Sequence, residues 1–228
     1  MYYITLSWDD GFTRSVGKIA EIYERFGLRA EFNVVVTFHE YDPQTFGDFG
    51  LWNELQARGH IIQPHGYDHS NLAEMPLAQA QENILRCLDV FRQSLDGFDA
   101  RRTVFNFPYN VSTPELDAWL PQVVRALRIS GKTPMPLPTR HTTRLTSPAS
   151  ENAEAMLEQC LEALLAQPEG WLLYTAHGLD GEGWGPLRSA YLEELLECLL
   201  LRDDVRILPT QAVLDTAIER ADNEFRNE

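Results

Sequence analysis

The chain has 228 residues, 44% hydrophobic and 23% charged, with a formal net charge of −15. That is enough apolar material for one sizeable core, so a single domain over 1–228 is expected. The acidic balance excludes the basic face that nucleic acid or an anionic membrane surface requires, and no apolar stretch is long enough to span a bilayer.

In chain order, short apolar runs alternate with longer amphipathic segments. A strand is predicted at Ile4 to Trp8, a helix at Ser15 to Phe26, and strands at Ala30 to Val36 and His60 to Gln63. A helix at Leu77 to Leu95 and strands at Thr103 to Phe107 and Ala126 to Ser130 follow. The remainder reads as a helix at Ser150 to Leu165, a strand at Trp171 to Thr175, a helix at Leu187 to Leu201 and a strand at Val205 to Leu208. Such alternation implies a parallel sheet with right-handed crossovers and a ligand site at the C-terminal strand ends. Seven strand candidates leave open a closed parallel (β/α) barrel or a doubly wound open sheet.

Thr133-Pro134-Met135-Pro136-Leu137-Pro138 cannot continue a helix or a central strand and is expected to form a loop over the barrel mouth. Cys87, Cys160 and Cys198 have no Cys-x-x-Cys spacing and are expected to be reduced, buried small hydrophobes. The first residues form no basic, apolar leader, so a cytoplasmic protein is expected.

The first apolar run ends in Asp9-Asp10-Gly11. Adjacent carboxylates at the mouth of a buried strand are costly unless a metal ion or a shared proton compensates them. His65 and His69 follow the run that ends near Ile62. Histidines four apart meet on one face of a helical turn, so Asp10, His65 and His69 would give three ligands and leave a fourth position for water. Caps and ordinary loop histidines are the structural alternative. His60 is expected to satisfy a backbone group, and His39 and His141 to lie in polar loops.

These motifs resemble the polysaccharide deacetylase family of metal-dependent carbohydrate esterases. Ser7-Trp8-Asp9-Asp10-Gly11 is similar to the family's Thr-Phe-Asp-Asp-Gly, and His65 to His69 to its His-x-x-x-His. Asn106-Phe107-Pro108-Tyr109 approximates its Arg-x-Pro-Tyr, and Thr175-Ala176-His177 its Leu-x-His. Two departures stand out. Asn106 replaces the arginine that orients the catalytic aspartate in the family, and no counterpart of the fourth-motif aspartate lies between Ile129 and Thr146.

The resemblance implies an irregular barrel that hydrolyses N-acetyl groups of a sugar or oligosaccharide. Asp10, His65 and His69 would hold a divalent metal, zinc first and cobalt, nickel or manganese next. Asp9 would be the base, left uncommitted beside the metal-neutralised Asp10. The Tyr109 backbone N–H would help hold the oxyanion, and His177 would protonate the departing amine. The glycine-rich loop His177 to Pro186 reads as a substrate-facing lid, in which Trp184 could stack on a sugar ring or pack the loop onto the core. A same-fold hydrolase of a non-sugar linear or cyclic amide, or a catalytically weak metal-binding domain, are the competing readings. Without a leader, a small cytosolic sugar derivative is a better fit than a wall polymer.

Overall fold

The computed structural model describes residues 1–37 and 45–226, with side chains through 218; His39 lies outside the described residues. Eight strands are β1 (Tyr2–Asp10), β2 (Glu31–Val34), β3 (Ile61–Pro64), β4 (Val104–Asn106), β5 (Ala126–Ile129), β6 (Arg144–Thr146), β7 (Gly170–Ala176) and β8 (Val205–Ile207). The helices are α1 (Thr13–Arg25), α2 (Phe49–Ala57), α3 (Leu77–Ser94), α4 (Pro114–Trp119), α5 (Ala153–Leu165), α6 (Ser189–Leu200) and α7 (Thr210–Arg226).

Every ladder between these strands is parallel. β1 is central: one edge pairs with β7 from Tyr2 to Trp8, and the other pairs first with β8 and then with β2. Sheet order is β3-β2-β1-β7 with β8 on β1, and β4-β5-β6 form a second sheet. The two sheets meet at two seams, giving the irregular barrel of strands β1 to β7. Across the β3/β4 seam, Val104 N–H donates to Gln63 Oε1 at 2.7 Å, and the Asn106 amide donates to Asn33 Oδ1 at 2.8 Å. At the β6/β7 seam, Thr175 N–H donates to the Pro148 carbonyl at 3.0 Å and the Ser147 and Thr175 hydroxyls lie 2.7 Å apart.

Strand alternation sorts residues between the two faces of the barrel wall. Ile4, Leu6 and Trp8 of β1 join Val16, Ile19 and Tyr23 of α1 in the outer core. Thr5, Ser7 and Asp9 face inward. The lower lumen is an apolar plug of Val104, Ala126, Leu145, Trp171 and Leu173, closed below by Val213 and Leu214 of α7. The upper lumen is polar: Ser7, Glu31, Asn33, Gln63, Asn106, Arg128, Ser147 and Thr175 are all buried there.

Such polar burial is tolerated only when the groups are hydrogen-bonded. Glu31 accepts from Thr210 N–H at 2.6 Å, the Thr210 hydroxyl at 2.8 Å and the Ser7 hydroxyl at 3.0 Å, so it also caps α7. Burial nonetheless pushes its carboxyl above the usual range.

Four expectations need correction. Strand β6 was not predicted, because its three residues follow a proline-rich stretch and only Leu145 is fully buried. Helices α2, α4 and α7 were likewise outside the predicted set. The proline-rich stretch does not cover the mouth: Met135 pairs antiparallel with Trp171 at the start of β7, so it fills the lower β6/β7 seam. Cys87 and Cys160 are buried, but Cys198 is exposed on the outer face of α6.

His60 does satisfy a backbone group: Ala30 N–H donates to its Nδ1 at 3.1 Å, and its Nε2 lies 3.1 Å from Glu24 Oε1. Burial, first, holds its pKa below the ordinary histidine value, against the pull of Glu24. The unfolded chain therefore takes up this proton first as pH falls below about 6.5, and the stability His60 contributes declines from there. His60→Gln is expected to lower the urea midpoint at pH 7.5 and to lower it less at pH 5. An equal effect at both pH values would contradict this.

Candidate active site

The β1 carboxylates sit at the barrel mouth in an unusual backbone. Asp10 has φ 74 and Gly11 φ 89, a left-handed conformation that costs a non-glycine residue on the order of 1 kcal/mol and so marks a site held by its surroundings. Gly11 has no substitute here, since a Cβ would lie 2.9 Å from the Trp52 ring. The turn aims Asp9 down into the lumen and Asp10 sideways along the mouth.

Asp10 meets the two histidines. Its Oδ1 is 3.5 Å from His65 Nε2 and 3.3 Å from His69 Nε2, and one ligand atom from each of the three residues lies within 4.8 Å of the others. The histidines do not come together on a helical turn. His65 follows β3, and left-handed residues Gly66 (φ 93) and His69 (φ 57) fold the connecting loop back, leaving the rings 5.2 Å apart. His65 Nδ1 lies 2.9 Å from the Asn106 carbonyl and donates to it, which turns the Nε2 lone pair toward Asp10.

These residues fit a divalent metal. Among the described residues, Asp10 Oδ1 is a buried oxygen with no hydrogen-bond partner, and two imidazole nitrogens converge on it. That donor set suits zinc and its neighbours in the first transition row.

Asp9 is not an uncommitted carboxylate. The fully buried Arg128 of β5 grips it with two bonds, Nη1 to Oδ1 at 2.9 Å and Nη2 to Oδ2 at 2.5 Å, and Asn33 donates to Oδ1 at 2.7 Å. Arg128 Nη1 also reaches the Ser7 hydroxyl at 3.1 Å. Burial opposes the charge on Asp9, but the guanidinium, followed by His65, outweighs it and holds the carboxyl well below the usual range. The pairing keeps Asp9 ionised and orients it, while lowering its proton affinity.

Arg128 went unread in the sequence. The family-like motif puts its arginine on β4, where Asn106 stands, and this chain carries one on the adjacent strand instead. Asn106 has separate work: its amide ties Asn33, and its carbonyl holds His65.

Tyr109 and His177 flank the cluster. Tyr109 follows β4 with φ 56, is 61% exposed and packs its ring 4.8 Å from His69. His177 directly follows β7, at the same mouth of the barrel as the β1 carboxylates. Trp184, 49% exposed, sets its ring edge-on to His177 at 5.4 Å; it is not packed away into the core. His141 is exposed in the 139–142 turn that leads into the start of β6.

The polysaccharide deacetylase profile matches residues 2–125. The chain belongs to the polysaccharide deacetylase family. The matched stretch contains Asp9, Asp10, His65, His69 and Tyr109, and ends before Arg128 and His177. No curated protein matches the chain.

Solved structures share the fold at low identity. A polysaccharide deacetylase of Mycobacterium smegmatis superposes with TM-score 0.72 at 13% identity, covering 96% of this chain and 91% of that one. Peptidoglycan deacetylase PdaC from Bacillus subtilis gives 0.62 at 13%, covering 99% and 96%. A family 4 acetyl xylan esterase from Clostridium thermocellum, solved with a cobalt ion, gives 0.61 at 16%, covering 94% and 91%.

Proposed function

We propose that this member of the polysaccharide deacetylase family is a metal-dependent hydrolase that removes the acetyl group from an N-acetylated sugar or short oligosaccharide. The observation that carries the reading is the pairing of two differently committed carboxylates: Asp10 faces two imidazoles with an unpartnered oxygen, and Asp9 is locked onto Arg128. Asp10, His65 and His69 would hold a divalent ion, zinc or another first-row metal, which would supply Lewis acidity for an amide carbonyl and for water near neutral pH.

The chain's own groups do the rest. Asp9, held ionised, accepts the proton of the attacking water. The Tyr109 backbone N–H contributes to binding the developing oxyanion, and His177 gives a proton to the departing nitrogen as the C–N bond breaks. Arg128 keeps Asp9 deprotonated and oriented near neutral pH, so the carboxylate is free to take the water's proton. A second carboxylate held ionised and oriented beside the ligands, yet outside the cluster of Asp10 with the two imidazoles, is more than a passive metal site requires, which favours the enzyme over the scaffold.

The test is metal content of protein purified without added metal, together with acetate release from N-acetylated sugars and a linear and a cyclic amide. About one ion per chain with acetate release from the sugars supports the proposal. Turnover of the non-sugar amides alone would move the substrate class, and an ion-loaded protein inert toward all of them would overturn the hydrolase.

Trp184, exposed at the mouth, is proposed as a stacking face for a sugar ring. Trp184→Ala is expected to raise KM about 3- to 10-fold, the worth of roughly one aromatic stacking contact, with kcat nearly unchanged. Steady-state kinetics on a chitooligosaccharide series would check it; a fall in kcat at constant KM would refute a purely binding role.

A further inference from the structure

The loop carrying His177 and Trp184 is tied to α1 by a buried carboxylate whose function the chemistry above leaves unused. Glu182, 7% exposed, accepts from Ser15 N–H at 2.7 Å, from the Ser15 hydroxyl at 2.6 Å and from Arg14 Nε at 3.1 Å. A carboxylate is buried on a loop only where such donors replace its water. The donors exist because α1 starts without a local cap. Its N-cap is Phe12, which makes no side-chain cap bond, so the Ser15 amide is one of the first-turn N–H groups left unpaired within the helix. Glu182 fills that position from 167 residues away, with its charge on the favourable end of the helix dipole.

Ser15 binds the loop twice. Its hydroxyl, donating to Glu182, accepts from Leu179 N–H at 2.9 Å, so one side chain pins two points of the turn. The backbone between them has no slack. A Cβ on Gly178 would lie 2.3 Å from the Glu182 carbonyl, and one on Gly183 (φ +81) would lie 2.9 Å from the Phe12 ring and 3.2 Å from His177 Cβ. Lys18 adds an outer tie to Asp180 at 2.6 Å, and Asp180 in turn accepts from Ser189 N–H at 2.9 Å. Phe12 follows the Asp9-Asp10-Gly11 turn directly, so this strap fixes the distance between the β1 carboxylates and His177.

We infer that Glu182 is a positioning residue: through Ser15 it registers His177 against the Asp9–Asp10 turn. This rests on the reading of His177 as the proton donor to the leaving nitrogen. An amide needs that proton, whereas an aryl acetate expels a phenolate that does not, so a displaced His177 harms the two substrates unequally.

The experiment compares kcat on an N-acetylated chitooligosaccharide and on 4-nitrophenyl acetate for wild type, Glu182→Gln, Ser15→Ala and His177→Ala, all shown folded by thermal melting. Glu182→Gln is expected to lose about 10- to 100-fold on the amide at similar KM, in line with the cost of roughly 1 Å of misplacement, and no more than about 3-fold on the ester. Ser15→Ala is expected to follow in the same direction, and His177→Ala to set the limit of that selectivity. Equal losses on both substrates in Glu182→Gln, or none, while His177→Ala is amide-selective, would overturn the positioning role. A substrate-independent readout separates the two ideas: the His177 ring C–H resonances should shift in Glu182→Gln, and unchanged resonances would overturn the strap whatever the activity. If they shift while His177→Ala shows no amide selectivity, His177 is not the proton donor, and only that reading falls.

Discussion

Arg128→Met is expected to unfold at markedly lower urea concentration, losing about 3–5 kcal/mol, and to release no measurable acetate. The guanidinium is fully buried, pairs bidentately with Asp9 and neighbours the Ser7–Glu31 bonds. Its removal leaves Asp9 with one hydrogen bond from the Asn33 amide and the more distant His65 ring, 3.6 Å away, in a lumen that water does not reach freely, and breaking a buried pair costs far more than the pair itself contributes. Arg128→Lys is expected to recover part of the stability and little of the activity, because an ammonium cannot supply two parallel bonds to one carboxylate. The double variant Arg128→Met/Asp9→Asn should be more stable than Arg128→Met alone, since the orphaned charge is then gone too. A cycle showing no coupling would mean that Arg128 packs the lumen without orienting Asp9.

The second large effect separates the two carboxylates. Asp9→Asn is expected to keep about one metal ion per chain while acetate release falls roughly 10²- to 10⁴-fold, the usual worth of a general base. His65→Ala is expected to lose the ion and the activity together, because it removes both a donor nitrogen and the bond to the Asn106 carbonyl. Elemental analysis and acetate release on the same preparations decide between them. An Asp9→Asn protein that loses its ion would make Asp9 a ligand, and an active one would remove it as base.

How far these residues could be read from sequence depends on how local their signals are. Asp9 and Asp10 stand out because charge interrupts an apolar strand, and His65 and His69 because they are close in the chain. The strand positions followed from the same apolar runs, including β5 at Ala126–Ile129. The loop geometry at Gly66 and His69 is set by two left-handed residues, which spacing alone reads as a helical turn. Strand β6 escaped because three residues with one buried side chain carry too little periodicity to register.

Arg128 escaped for a different reason. It lies on the predicted strand, flanked by Leu127 and Ile129, and a charge on a strand buried on both faces demands a partner. That demand was legible in the sequence; the identity of the partner, 119 residues away on β1, was not. Glu182 belongs to the same class, since only the folded chain brings it to the start of α1.

The broken ladders at the two seams have a consequence for how this protein can change. Where neighbouring strands no longer pair along their length, the two halves of the wall are fastened largely by side-chain bonds of the lumen, several of which also build the site. Asn106 links to Asn33 and His65 across one gap, Ser147 to Thr175 across the other, and Arg128 to Asp9 through the middle. Closure of the barrel and preparation of the chemistry therefore draw on the same few contacts. A drifting sequence cannot loosen one without weakening the other, and an engineer seeking heat tolerance would do best to work on the outer helices and leave these staples untouched.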